Sequence, residues 1–224
     1  MSRCSSNSCV MDVAVDETIQ AIFSLFERYG SSDYQGEHVT QTEHMVQCAM
    51  LAEQEGGPVP VGGGAAQLNH THTERSSPAV VLGALFHDIG HLVGRQQEAR
   101  RMETDGVNLG VTGHEIIGQE FLENLGIPRS VSVFSKGHVD AKRYLVYKEK
   151  GYYDRLSDAS KKTLVHQGGP MTAQEAELFE AEPQLAAILK MRQWDEQAKD
   201  PTVQIEPLQR YREMCRQFLL TNAA

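Results

Sequence analysis

The sequence predicts an all-α protein, on two observations. Apolar residues recur at helical spacing along most of the chain, and strand-like alternation is scarce. A first helix is expected from about Asp16 to Tyr29, where Ile19, Ile22, Phe23 and Phe26 form one stripe and Gly30 with Ser31 and Ser32 ends it. Thr42 to Glu55 reads as a second helix, with Met45, Ala49 and Ala52 at helical spacing. Residues 56–77 are rich in Gly, Pro and polar side chains and read as a loop insert. Pro78 to Gly94 follows as one helix with a nearly continuous apolar run, the signature of a central core helix.

His114 to Leu125 is the next expected helix, closed by Gly126 with Pro128 soon after. Ser130 to Lys148 is another. Ser157-Asp158 offers a cap for a short helix before Gly168-Gly169-Pro170. Thr172 with Glu175 resembles a capping box, and Pro183 is placed to begin a helix through Trp194 and Asp195. An amphipathic helix from Pro207 to Leu220 comes last. The domain is expected to span residues 15–224, behind a flexible N-terminal segment, residues 1–14, that contains Cys4 and Cys9.

Composition narrows the function classes. A chain of 224 residues can bury a sizeable core in one domain. The formal net charge of −9 argues against nucleic acid as a partner, since phosphate backbones select basic faces. It leaves room for a small anionic substrate, which a few local cations can hold. Nowhere do 18 apolar residues run together, so no membrane span is expected. The first residues lack a signal-peptide core. The four cysteines show no CxxC spacing and read as free thiols in a reducing compartment, so a cytoplasmic location is expected. A monomer or weak homo-oligomer is expected.

The adjacent pair His87-Asp88 carries the chemistry. An imidazole can hold one ion while a carboxylate, with two oxygens, spans two. His44, His114, His138 and Asp195 complete a possible ligand set, and imidazole with carboxylate suits iron, manganese or zinc. A lone histidine on a helix is more often an ordinary core or surface residue, and His70, His72 and His166 are read that way.

The set resembles the HD-domain proteins, named for the His-Asp pair. Most are metal-dependent phosphohydrolases. A smaller branch holds mixed-valent diiron oxygenases, namely myo-inositol oxygenase and the 2-amino-1-hydroxyethylphosphonate dioxygenases. The chain is similar to the phosphonate branch from about Ile22 to Tyr211. The matching segments are Tyr34 to Glu37, His44, Leu85 to His91, His114-Glu115, His138 to Tyr144 and Arg192 to Asp195. The resemblance implies one iron on His44, His87, Asp88 and Asp195, and a second on Asp88, His114 and His138. It also implies dioxygen as co-substrate, with mixed Fe2+/Fe3+ ions.

A phosphonate carries negative charge on three acceptor oxygens and needs cations and donors. Lys142 lies one turn after His138, and Arg192 lies three residues before Asp195, so each can share a face with a ligand. His91 follows Asp88 by three residues. Ser160, Thr163 and Gln167 recur at near-helical spacing as neutral donors. The resemblance places these groups around the phosphonate, with Asp88, His91 and Lys142 as the catalytic set. It also implies that Tyr34 occupies an iron position until substrate displaces it, and that Glu37 meets the substrate's cationic nitrogen.

The expected activity is therefore cleavage of the carbon-phosphorus bond of a 1-hydroxyphosphonate. 2-Amino-1-hydroxyethylphosphonate would give glycine, and its N-trimethyl analogue glycine betaine, each with phosphate. Two rivals are a phosphohydrolase of a nucleotide or phosphate monoester and a silent HD domain that only binds. Tyr34, Glu37 and Lys142 weigh against the first, and the complete ligand set against the second. Residues 56–77 and 95–112 look longer than a compact member needs. The second stretch lies between two ligands and is placed to shape a pocket.

Overall fold

The computed structural model describes residues 6–34, 36–55 and 76–222, with side chains from residue 11 onward. The expected insert lies outside the described residues except for Ser76 and Ser77. Among the described residues the chain forms eleven helices and one two-stranded hairpin. In chain order these are α1 (Ser6–Tyr29), α2 (Gln41–Glu55), α3 (Pro78–Phe86), α4 (Ile89–Gln96), β1 (Arg101–Thr104), β2 (Val107–Val111), α5 (His114–Asn124) and α6 (Arg129–Lys148). They continue as α7 (Tyr152–Arg155), α8 (Asp158–His166), α9 (Ala173–Glu180), α10 (Leu185–Gln197) and α11 (Leu208–Asn222).

The core forms where α2, α3, α5, α6 and α10 pack around one another, with α1 and α11 paired on the outside. α3 sits in the middle: Val81, Leu82, Ala84, Leu85 and Phe86 are all buried, each large one contributing about 1.5–3 kcal/mol by leaving water. Trp194 of α10 and Tyr211 of α11 are also fully buried. Thr172 and Glu175 form the capping box expected of them, and Ser157 accepts from the Ser160 N–H at the head of α8. Cys48 and Cys215 are free and buried. No helix among the described residues is long and apolar enough to cross a membrane.

Two expectations need correction, and two elements had no counterpart in the sequence reading. α1 begins at Ser6, so residues 6–14 are helical where a flexible segment was expected. The helix expected over Pro78–Gly94 is two helices, broken at His87-Asp88. His87 keeps helical angles, but Asp88 leaves them at φ −103°, ψ 11°, so its carboxylate turns into the bundle. The stretch 95–112 contains the hairpin. Asp105 and Gly106 at its tip both have positive φ, 53° and 75°, the tight turn that Asp-Gly favours. The short helix α7 had no expectation at all.

One glycine decides how the site closes. A Cβ on Gly90 would lie 1.8 Å from the His114 carbonyl oxygen. Only a glycine lets α4 come this near the first turn of α5, and that approach carries His114 across to Asp88.

Candidate functional site

Four imidazoles and two carboxylates meet in the interior. His44 comes from α2, His87 and Asp88 from the break after α3, His114 from the start of α5, His138 from the middle of α6 and Asp195 from α10. All six are 4% exposed or less. They separate into two groups able to hold an ion each: His44, His87 and Asp195; and Asp88, His114 and His138.

Each imidazole is aimed by a backbone carbonyl. Nδ1 of His44 faces the Ala198 carbonyl at 2.8 Å, His87 faces Ala84 at 2.8 Å, His114 faces Val111 at 3.1 Å and His138 faces Ser135 at 2.5 Å. A carbonyl only accepts, so Nδ1 carries a proton and, in the neutral ring, Nε2 turns a bare lone pair inward. These lone pairs face one another: Nε2 of His44 and His87 are 3.1 Å apart, as are Nε2 of His114 and His138. Two lone pairs at that distance repel unless a cation lies between them. Ligand atoms bound at about 2.1 Å and at right angles on one ion are about 3.0 Å apart, so the spacing fits.

Asp88 lies between the groups. Its Oδ2 is 3.4 Å from Nε2 of both His44 and His87, while Oδ1 is 3.4 Å from His114 and 3.2 Å from His138. Asp195 Oδ1 is 3.4 Å from His44 Nε2. Burial alone would keep the Asp88 proton on, but the His87 and His138 rings overrule it and hold the carboxyl well below the usual range. For Asp195 burial is likewise overruled, here chiefly by the Arg192 guanidinium. The donor set is thus imidazole and carboxylate without thiolate, which suits iron, manganese or zinc.

Beside this cluster lies a cavity with about 40 Å³ of water-accessible space, room for about three waters. Tyr34, Glu37, His91, Lys142, Ser160, Thr163, Gln167 and Arg192, the residues expected around a substrate, all line it, together with Asp88, His114, His138 and Asp195. His44 and His87 lie behind them.

The chemistry of the wall is specific. Lys142 is 4% exposed, donates to Thr163 Oγ1 at 2.9 Å and has no carboxylate partner among the described residues. Burial, then the nearby Arg192 charge, pushes its pKa down to about 7. Arg192 donates Nη1 to Asp195 at 2.5 Å and Nε to Glu196 at 3.0 Å, while its buried Nη2 has no hydrogen-bond partner. His91 Nδ1 accepts from the Val111 N–H at 3.0 Å, so the His91 proton sits on Nε2, and the ring stacks on His114 at 3.9 Å. Burial leads in lowering the His91 pKa to about 4, leaving a neutral donor.

Tyr34 lies flat on His44, ring centres 3.9 Å apart and planes 14° from parallel. Burial, then the carboxylates of Asp88 and Asp195, raises its pKa well above the phenol range. Glu37 Oε1 accepts from Ser157 Oγ at 3.0 Å and pairs with Lys199 Nζ at 2.7 Å.

Sequence reasoning missed Lys199, Met102, Leu109 and Ala159, which also line the cavity. Lys199 follows Asp195 by four residues, the spacing that singled out Lys142 after His138. Met102 and Leu109 come from the hairpin, whose Asp105-Gly106 turn was the available signal.

Comparison with known proteins places these features in context. The HD domain model matches residues 42–201. An uncharacterized protein, L432, of Acanthamoeba polyphaga mimivirus is 35% identical over 95% of this chain and 88% of its own. The glycine-betaine-forming 1-hydroxy-2-(trimethylamino)ethylphosphonate dioxygenase of Leisingera caerulea is 36% identical over 81% of this chain and 80% of its own. The hydroxymethylphosphonate dioxygenase of Gimesia maris is 31% identical over 87% of this chain and 85% of its own.

Proposed function

The chain belongs to the HD-domain family, in the branch of the hydroxyphosphonate dioxygenases, and from that footing we propose that it is a diiron oxygenase that cleaves the carbon-phosphorus bond of a small 1-hydroxyphosphonate. The substrate and dioxygen become a carboxylate and phosphate. The observation that carries the reading is Lys142: a buried ammonium without a carboxylate, opening on the face of a two-ion ligand cluster. A buried cation of that kind is costly until an anion arrives.

His44, His87, Asp88 and Asp195 would hold one iron, and Asp88, His114 and His138 the other. Bound there, the irons supply oxygen activation and a Lewis-acid seat for substrate oxygens. The protein's residues do the rest. Lys142 and the free Nη2 of Arg192 receive the phosphonate oxygens, with the Ser160 and Thr163 hydroxyls and the Gln167 amide completing the donor set. His91 offers its Nε2 proton as a neutral donor. Arg192 also fixes Asp195 for the first iron. Tyr34 covers His44 and, with Glu37, closes the cavity against water. Glu37 is the residue that would receive an ammonium, if the substrate carries one, as in 2-amino-1-hydroxyethylphosphonate or its N-trimethyl analogue.

The test is an aerobic assay of iron-loaded protein against a panel of 1-hydroxyphosphonates. Phosphate release and dioxygen consumption should match one to one. Hydrolysis of a phosphate ester without dioxygen, with no turnover of any phosphonate, would replace this reading with a phosphohydrolase.

A further inference from the structure

Glu37 is not waiting for a ligand. Its Oε1 already holds the Lys199 ammonium at 2.7 Å, and the two side chains are only 16% and 15% exposed. The same oxygen accepts from Ser157, the cap of α8. Lys199 is anchored from behind as well. The preceding Ala198 carbonyl receives the His44 proton, and the following Asp200 exchanges two hydrogen bonds with Gln47, at 2.8 and 3.2 Å. The ammonium also lies over the Tyr34 ring, 5.8 Å from its centre. The chain thus supplies its own cation to the one carboxylate that, among the described residues, lines the cavity without being a candidate metal ligand or a partner of Arg192.

We propose that Lys199 is a specificity residue that occupies Glu37 and so turns the pocket toward 1-hydroxyphosphonates whose far end carries no positive charge. The inference rests on the oxygenase reading above. A substrate ammonium would have to displace a tethered, partly buried one and then sit beside it, and like charges in one site strongly disfavour each other. Hydroxymethylphosphonate, which has no nitrogen, asks nothing of Glu37 and leaves the bridge intact.

The experiment compares kcat/KM for hydroxymethylphosphonate and for 2-amino-1-hydroxyethylphosphonate in iron-loaded protein, read by phosphate release. The unmodified protein should favour hydroxymethylphosphonate. Lys199→Met keeps the chain length without the charge, and should move the ratio toward the ammonium substrate by about tenfold or more. Lys199→Arg should keep the original preference. Adding Glu37→Gln to Lys199→Met should cancel the gain, because the freed carboxylate is its source. Iron content and melting temperature report whether each variant is intact, and Lys199→Gln substitutes if the Met variant does not fold. If both substrates are turned over but the ratio stays within about twofold in an iron-replete Lys199→Met, or the unmodified protein favours the ammonium substrate, Lys199 is not the specificity residue and the oxygenase reading stands. If the unmodified protein turns over neither phosphonate, both readings fall together.

Discussion

Lys142→Met is expected to stabilise the protein while disabling it. An ordinary lysine holds its proton to 10.5, whereas Lys142, buried with no carboxylate partner among the described residues, releases it at about 7. At about 1.4 kcal/mol per pH unit, keeping the ammonium there at pH 7 costs the folded state about 4 kcal/mol. Methionine fills the same space without charge. It forfeits the hydrogen bond to Thr163, about 1 kcal/mol, leaving a net gain of about 3 kcal/mol. For a chain of this size that is a rise of about 6–12 °C in melting temperature. The sign with pH follows from proton binding. Between about 7 and 10.5 the unfolded chain binds the proton and the folded one does not, so the unmodified protein gains stability as pH rises. The advantage of the variant is therefore full below pH 7 and shrinks toward 10.5. Phosphonate turnover should fall by about 10–100-fold in kcat/KM, the worth of one charge-assisted contact. Calorimetric melting at pH 6, 7 and 9, with turnover assayed on the same samples, decides it. A variant that melts below the unmodified protein at pH 7 with its iron retained, or one that melts higher yet uses the phosphonate as well, refutes the reasoning.

Three further substitutions bear on the site. Asp88→Ala removes the only carboxylate among the described residues that faces both histidine pairs, so iron content and activity should be lost together; an active, iron-replete variant would reject the bridge. Gly90→Ala forces a methyl group onto the His114 carbonyl. It should cost about 1–3 kcal/mol in a denaturant melt and empty the second ion position first, and an unchanged melt would show that α4 and α5 can part freely. Arg192→Lys cannot serve Asp195, Glu196 and the cavity at once, so KM for the phosphonate should rise several-fold at unaltered fold; an unchanged KM would leave Arg192 only a structural partner.

Much of this was legible in the chain. The apolar stripe Ile19, Ile22, Phe23 and Phe26 and the run from Val80 to Leu85 declare buried helix faces, because helical periodicity records which side meets the core. The six candidate ligands could be picked out only as a set, because together they match the pattern of the HD-domain proteins, whereas a single imidazole on a helix is usually an ordinary residue. What stayed hidden depends on distance in the chain. The break at His87-Asp88 leaves no mark in hydropathy, since Ile89, Leu92 and Val93 continue the apolar run on the far side. The hairpin was announced only by Asp105-Gly106, with Met102 and Leu109 too sparse to read as alternation. The Lys199–Glu37 pair joins residues 162 positions apart in the chain, and no local pattern in either segment names the other.

The carbonyls that aim the four imidazoles divide unevenly. His87, His114 and His138 each use the residue three places earlier, so each ring is set by its own turn of chain. His44 instead depends on Ala198, 154 positions later in the chain. Of the two candidate ion seats, Asp88 with His114 and His138 is drawn from 51 consecutive positions of the chain, whereas His44 with His87 and Asp195 is drawn from 152, so the second depends on a far longer-range closure of the fold.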